Sequence, residues 1–190
     1  MFLIGYNPNN YYICHDNTEY MHVDQLQTAK GEPVLTYEYV ESLRKNKSFL
    51  RIIAQRGCQE KFLATNADIT IFGGNRGGSK SFSLLMESLK DIKNPYYSAT
   101  ILRNEKDDLL DLINTSYQLY TQFGTYNKSV NDMTWNFEKG GKLKFSYYAD
   151  SFEDFKKRFQ GKQYSFIGID EITHSTYEKF KYLITCNRNA

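Results

Sequence analysis

The run Ile71-Phe72-Gly73-Gly74-Asn75-Arg76-Gly77-Gly78-Ser79-Lys80-Ser81 constrains the fold of this chain more than any other stretch. A short β-branched run, Asp68 to Phe72, precedes it. An amphipathic segment with apolar residues at Phe82, Leu85, Met86, Leu89 and Ile92 follows. The order is strand, glycine-rich loop, helix, which is the context a phosphate-binding loop requires. Such a loop works because successive backbone N–H groups and a helix N-terminus converge on an anion, while a lysine adds a mobile positive charge. Against the pattern G-x-x-x-x-G-K-[ST], Gly74 stands at the start and Lys80-Ser81 at the end, with Ser79 in place of the second glycine. The expected phosphate cradle is therefore Gly74, Asn75, Arg76, Gly77, Gly78, Ser79, Lys80 and Ser81.

The chain around this loop alternates strand and helix signals. Cys58 to Leu63 is a short helical turn before the first core strand, and Ser48 is placed to cap a helix that Gly57 ends. Asn94-Pro95 stops the loop helix, and Ser98 to Arg103 is a second strand with Ile101 and Leu102 at its centre. A long helix follows from Asn104 or Asp107, carries apolar residues at Leu109, Leu112, Ile113, Tyr117, Tyr120 and Phe123, and ends at Gly124. Met133 to Glu138 and Lys142 to Tyr148 alternate apolar with polar residues around Lys139-Gly140-Gly141, which predicts a half-exposed hairpin. Phe152, Phe155 and Phe159 define one face of a helix ending at Gly161. Ser175-Thr176-Tyr177-Glu178 has the spacing of a capping box opening the last helix. This order predicts an α/β fold with a mainly parallel sheet, helices on both faces and an inserted β-hairpin.

Residues 48–190 make up that domain, and residues 1–47 are expected to form a polar N-terminal appendage, with a small hairpin from Phe2 to Tyr6 and Tyr11 to Cys14. Cys14, His15, Asp16, His22 and Asp24 match no zinc spacing. The net charge of +2 provides no global field for a polyanion, so any nucleic-acid contact must be a local patch. Three scattered cysteines without a C-x-x-C pair point to a reduced, cytosolic protein, and no stretch has the length of a membrane span.

A second element completes the site. Phe166-Ile167-Gly168-Ile169 is almost continuously apolar, as a buried parallel strand should be, and it ends in Asp170-Glu171. Carboxylates at the C-terminal edge of an α/β sheet lie where ligands bind. In a nucleotide-hydrolysing loop protein the first carboxylate and the hydroxyl after the lysine hold Mg²⁺, and the second carboxylate acts on the attacking water. Ser81 and Asp170 suit the metal, and Glu171 suits the water. Arg103, ending its strand, is placed to pair with an acidic neighbour.

The order of Gly73 to Ser81, Ile101-Leu102-Arg103, the Gly140-Gly141 hairpin, Gln160-Gly161 and Ile167-Gly168-Ile169-Asp170-Glu171 resembles the ATPase domain of the large terminase subunit of tailed bacteriophages. The similarity runs from about Gln55 to Arg188. It implies a P-loop NTPase fold and a Mg²⁺- and ATP-dependent motor that drives double-stranded DNA through a portal into a procapsid. It further implies a small terminase subunit as partner, a homo-oligomeric ring, and action in the host cytoplasm while docked on the portal, away from any membrane.

By the same resemblance Gln59 corresponds to an adenine-reading glutamine, Arg76 to a cis arginine at the γ-phosphate, and Arg158 to an arginine offered to a neighbouring subunit's ATP. Catalysis would then rest on Lys80, Glu171, Arg76 and Arg158. The family's usual coupling motif and ribonuclease H-like nuclease have no counterpart in these residues. No nuclease activity is therefore expected from them, and a separate nuclease-bearing chain is an expected partner. Two alternatives stand beside this one: another P-loop ATPase of helicase-like or remodelling type, and a truncated nucleotide-binding remnant without turnover.

Overall fold

In the computed structural model the described residues are the backbone of 3–5 and residues 52, 54–55, 58–65, 67–73, 80–127, 129, 132–148 and 150–188. The strands are β1 (Leu3–Gly5), β2 (Ile69–Ile71), β3 (Ser98–Arg103), β4 (Gly124–Asn127), β5 (Thr134–Phe137), β6 (Lys142–Tyr147) and β7 (Phe166–Ile169). The helices are α1 (Cys58–Leu63), α2 (Lys80–Glu87), α3 (Leu109–Tyr120), α4 (Phe152–Phe159) and α5 (Tyr177–Cys186).

All seven strands join one sheet in the order β2-β1-β7-β3-β6-β5-β4. Strand β3 pairs parallel with both β6 and β7. Strand β1 is antiparallel to β2 and β7, and β5 is antiparallel to β4 and β6. The sheet is mixed, which corrects the expectation of a mainly parallel one. The reason lies in the connections: β4, β5 and β6 follow one another too closely for the helical crossover that parallel neighbours require.

The hairpin is also less peripheral than expected. Its second strand, β6, is flanked by β3, and Trp135, Phe137, Leu143 and Phe145 are buried. Helix α3 ends at Tyr120 rather than at Gly124, which instead begins β4. A side chain at Gly124 would run into the backbone carbonyl of Asn136 on β5, so the glycine admits the third antiparallel strand. Strand β1 pairs inside the main sheet, and Tyr11 to Cys14, its expected hairpin partner, lie outside the described residues. The rest of the 1–47 segment lies outside the described residues, as do Ser48 and Gly57.

Helices cover both faces. Phe62 of α1, Leu84 and Leu85 of α2, and Leu109 and Leu112 of α3 bury one face with Ala99, Ile101 and Phe145. Phe155 and Phe159 of α4 and Leu183 of α5 bury the other with Leu102, Ile167 and Ile169. The alternation along β3 and β7 is what divides the two cores. The abundant aromatics are used here: Tyr117, Tyr120 and Trp135 meet edge-on, and the Trp135 Nε1 donates to Ser116 Oγ at 2.9 Å.

Local signals set the helix ends nearest the site. Ser151 caps α4 by accepting from Asp154 N, and the acidic first turn and basic last turn complement the helix dipole. Thr176, not Ser175, caps α5 by accepting from Lys179 N. Among the described residues no helix is long and apolar enough to cross a membrane.

Gly168 decides how closely α2 approaches the sheet. A Cβ there would meet Leu84 Cδ1 at 2.8 Å and Ile101 Cγ1 at 3.3 Å, both in the tightly filled first core. Overpacking such a site costs about 1–3 kcal/mol. Gly168→Val is therefore expected to lower the urea-unfolding free energy by about that amount, and Gly168→Ala by less, since Leu84 can yield slightly at its tip.

Candidate active site

The strand order places the C-terminal ends of β3 and β7 side by side, so Arg103 and Asp170-Glu171 share one edge. Helix α2 begins at Lys80 above that edge, and Ser81 on its first turn points to β7. Ser81 Oγ donates to Asp170 Oδ2 at 3.0 Å across 89 residues of sequence. The sequence-predicted metal pair is thus brought together. Gly74 to Ser79, including Asn75, Arg76, Gly77 and Gly78, lie outside the described residues.

Asp170 is 3% exposed, and burial raises its pKa above the ordinary carboxylate value. Arg103 and the Ser81 hydroxyl pull it back down, while the charge of Glu171 adds to the rise. Arg103 serves both acids. Its Nε lies 3.6 Å from Asp170 Oδ2, its Nη2 donates to Glu171 Oε1 at 3.3 Å, and its Nη1 donates to Asp108 O at 2.8 Å. One guanidinium thereby spreads its charge between two adjacent carboxylates that would otherwise repel.

Glu171 has φ 55° and ψ 43°, in the left-handed region that disfavours a residue with a Cβ by roughly 1–2 kcal/mol. This turn throws the Glu171 side chain away from the path of β7, leaving it 46% exposed and open to water. Two donors hold its carbonyl: Tyr148 Oη at 2.8 Å and His174 N at 3.0 Å. Tyr148 was not picked out by sequence reasoning. Its one signal is its place just past the end of β6, an aromatic with a polar tip at the sheet edge where ligands gather.

Other assigned residues lie elsewhere. Gln59 is buried in α1, and its Oε1 accepts from Gln55 N at 2.8 Å. Helix α1 packs on α2, which keeps Gln59 on the side of the sheet where Lys80 starts its helix. Arg158 is engaged within its own chain. Its Nη1 donates to Tyr147 O at 2.8 Å, its Nη2 pairs with Asp150, and its guanidinium stacks 3.8 Å from the Tyr147 ring centre. The neighbouring Lys156 and Lys157 pair with Glu153 and Asp154, so the basic run is locally neutralised.

Oxygen donors such as Ser81 and Asp170 suit a hard divalent cation that keeps several waters and phosphate oxygens as its other ligands. Among the described residues no group of three or more His, Cys, Asp or Glu side chains is arranged to hold a metal by itself. The pair fits Mg²⁺ bound jointly with a phosphate.

The role of Arg103 has a pH signature. Because the folded-state pKa of Asp170 is raised, ionising it opposes folding, and its contribution to stability falls as pH rises through that value. Removing Arg103 raises the pKa further. Arg103→Met is expected to cost little at pH 4 and about 1–2 kcal/mol more at pH 8, measured by urea unfolding across that range.

The geometry agrees with one comparison. Residues 71–189, more than half of the chain, match the family model described as terminase large subunit, T4likevirus-type, N-terminal. No curated protein and no solved structure matches the chain. An α/β sheet carrying a serine–aspartate pair at its edge, within a match of that extent, places this chain in the family of phage large terminase subunits.

Proposed function

We propose that this chain is a P-loop ATPase, hydrolysing ATP to ADP and phosphate to power movement of double-stranded DNA into the procapsid. The observation that carries the proposal is the Ser81–Asp170 hydrogen bond beside Glu171, one residue after Lys80. A phosphate cradle, a metal-binding pair and a general base are the parts that phosphoryl transfer to water requires.

In this reading Lys80 balances charge at the β- and γ-phosphates, while the backbone of Gly74 to Ser79 and Arg76 cradle them. Ser81 and Asp170 would hold Mg²⁺, which supplies charge neutralisation at the phosphate oxygens when bound. The Ser81 hydroxyl donates to Asp170 Oδ2, and its oxygen would remain available to the cation. Glu171, the exposed carboxylate of the pair, orients the attacking water and takes its proton. Arg103 favours the ionised form of Asp170 against the burial that raises its pKa, and it also pairs with Glu171.

Gln59 would contact the adenine. Arg158 would serve a neighbouring subunit's nucleotide only after releasing Asp150 and the Tyr147 ring, so ring assembly must supply what that exchange costs. The DNA, the portal protein and the small terminase subunit are the proposed partners. The proposed place of action is the portal vertex in the host cytoplasm.

Three proteins test this reading. The wild-type chain with Mg-ATP should melt at a higher temperature than without it and should release phosphate. Lys80→Ala should lose the nucleotide-dependent shift. Glu171→Gln should keep the shift and lose turnover by roughly 10²- to 10⁴-fold, the usual weight of a general base. Turnover by Glu171→Gln at the wild-type rate would remove Glu171 from the mechanism.

A further inference from the structure

At the end of β6, Tyr147, Tyr148 and Asp150 lie beside the candidate site and contribute none of the groups assigned to nucleotide or metal. Tyr148 is 1% exposed, with its ring in the core formed by Phe155, Phe159 and Leu183. Its hydroxyl lies 3.1 Å from Asp170 O and 2.8 Å from Glu171 O. Burial and the two nearby carboxylates push the phenol pKa upward, so the hydroxyl stays protonated and acts as a donor. A single O–H is therefore shared by the carbonyls of both acidic residues.

Tyr148 is itself held from both sides. Lys179 of α5 is buried, and its Nζ donates to Tyr148 O at 2.6 Å and to Asp150 O at 2.6 Å. Arg158 of α4 donates to Tyr147 O and pairs with Asp150. Ammonium and guanidinium groups make stronger bonds to carbonyls than neutral donors do. These residues thus form a strap whose ends are fixed by two charged groups and whose middle bears the hydroxyl.

The object of this fixing is Glu171. Its left-handed backbone is a conformation that surroundings must impose, and the direction of its carboxylate follows from it. We propose that Tyr148 is the positioning residue of the Asp170–Glu171 turn. Its hydroxyl keeps Glu171 left-handed, and through the strap the state of Lys179 and Arg158 is felt at the carboxylate. Any movement of Arg158 away from Asp150 loosens the same strap that aims Glu171. The inference rests on the reading of Glu171 as the general base, and it adds a residue that touches neither nucleotide nor metal.

Tyr148→Phe in the full chain separates positioning from packing, because the ring stays and only the hydroxyl goes. Two readouts are needed. The first is amide exchange at His174, whose N–H is bonded to Glu171 O. Loss of the shared donor should speed it about 10-fold, the scale of one hydrogen bond. The second is steady-state ATP hydrolysis: kcat should fall about 10-fold with KM for ATP within about twofold, since a misaimed base slows chemistry and not binding.

Lys179→Gln, which leaves the hydroxyl in place and weakens the far end of the strap, should reproduce both changes in milder form. Unchanged His174 exchange in folded Tyr148→Phe overturns the proposal, as does faster exchange with kcat at the wild-type level. If wild-type protein hydrolyses no ATP, the ATPase reading fails. His174 exchange then decides alone whether Tyr148 holds the turn.

Discussion

The site depends first on how closely α2 lies on β7. Ser81 and Asp170 are 89 residues apart in sequence, and their 3.0 Å contact exists because Gly168 presents no side chain to Leu84. Strand β7 is only four residues long, so the strand that seats the helix is also the strand that ends in the acidic pair. Packing and chemistry are therefore not separable here. A methyl group added at Gly168 acts on the core and, two residues later, on the carboxylate that Ser81 must reach.

Bringing two carboxylates to a buried edge creates an electrostatic problem, and the fold answers it with shared groups. Arg103 divides its guanidinium between Asp170 and Glu171, and Tyr148 divides its hydroxyl between their carbonyls. Sharing leaves each acid incompletely compensated. For Asp170, burial still dominates and holds its pKa up. For Glu171, exposure relieves the cost and leaves the carboxylate accessible to water. Two adjacent residues of the same chemistry thus receive different environments.

What was legible in the sequence is what has a local cause. The strand–glycine loop–helix order, the Phe152, Phe155 and Phe159 face of α4, and the apolar run ending at Asp170-Glu171 are each decided within a dozen residues by periodicity or by glycine and proline. The mixed sheet was not legible. Strand β1 is three residues of backbone pairing between β2 and β7, and nothing in Leu3-Ile4-Gly5 specifies that partner or its direction. The alternation of 133–148 correctly predicted a hairpin. It gave no sign that β6 also pairs with β3, because period two says nothing about what lies beyond the strand's other edge. Arg103 was visible as a strand-end cation, but its reach to Glu171, 68 residues away, is a product of strand order.

The least legible feature is the one that joins the two faces of the sheet at its edge. Helix α2 delivers Ser81 from one face, while α4 and α5 on the other hold Tyr147, Tyr148 and Asp150 through Arg158 and Lys179. The Asp170–Glu171 turn lies between them and takes a contact from each side. Arg158 and Lys179 thus connect to the Asp170–Glu171 turn through the Tyr147 and Tyr148 backbone and the Tyr148 hydroxyl. The buried Tyr148 touches Lys179 of α5 through its backbone carbonyl and the acidic turn through its hydroxyl, while Arg158 of α4 holds the carbonyl of Tyr147 beside it.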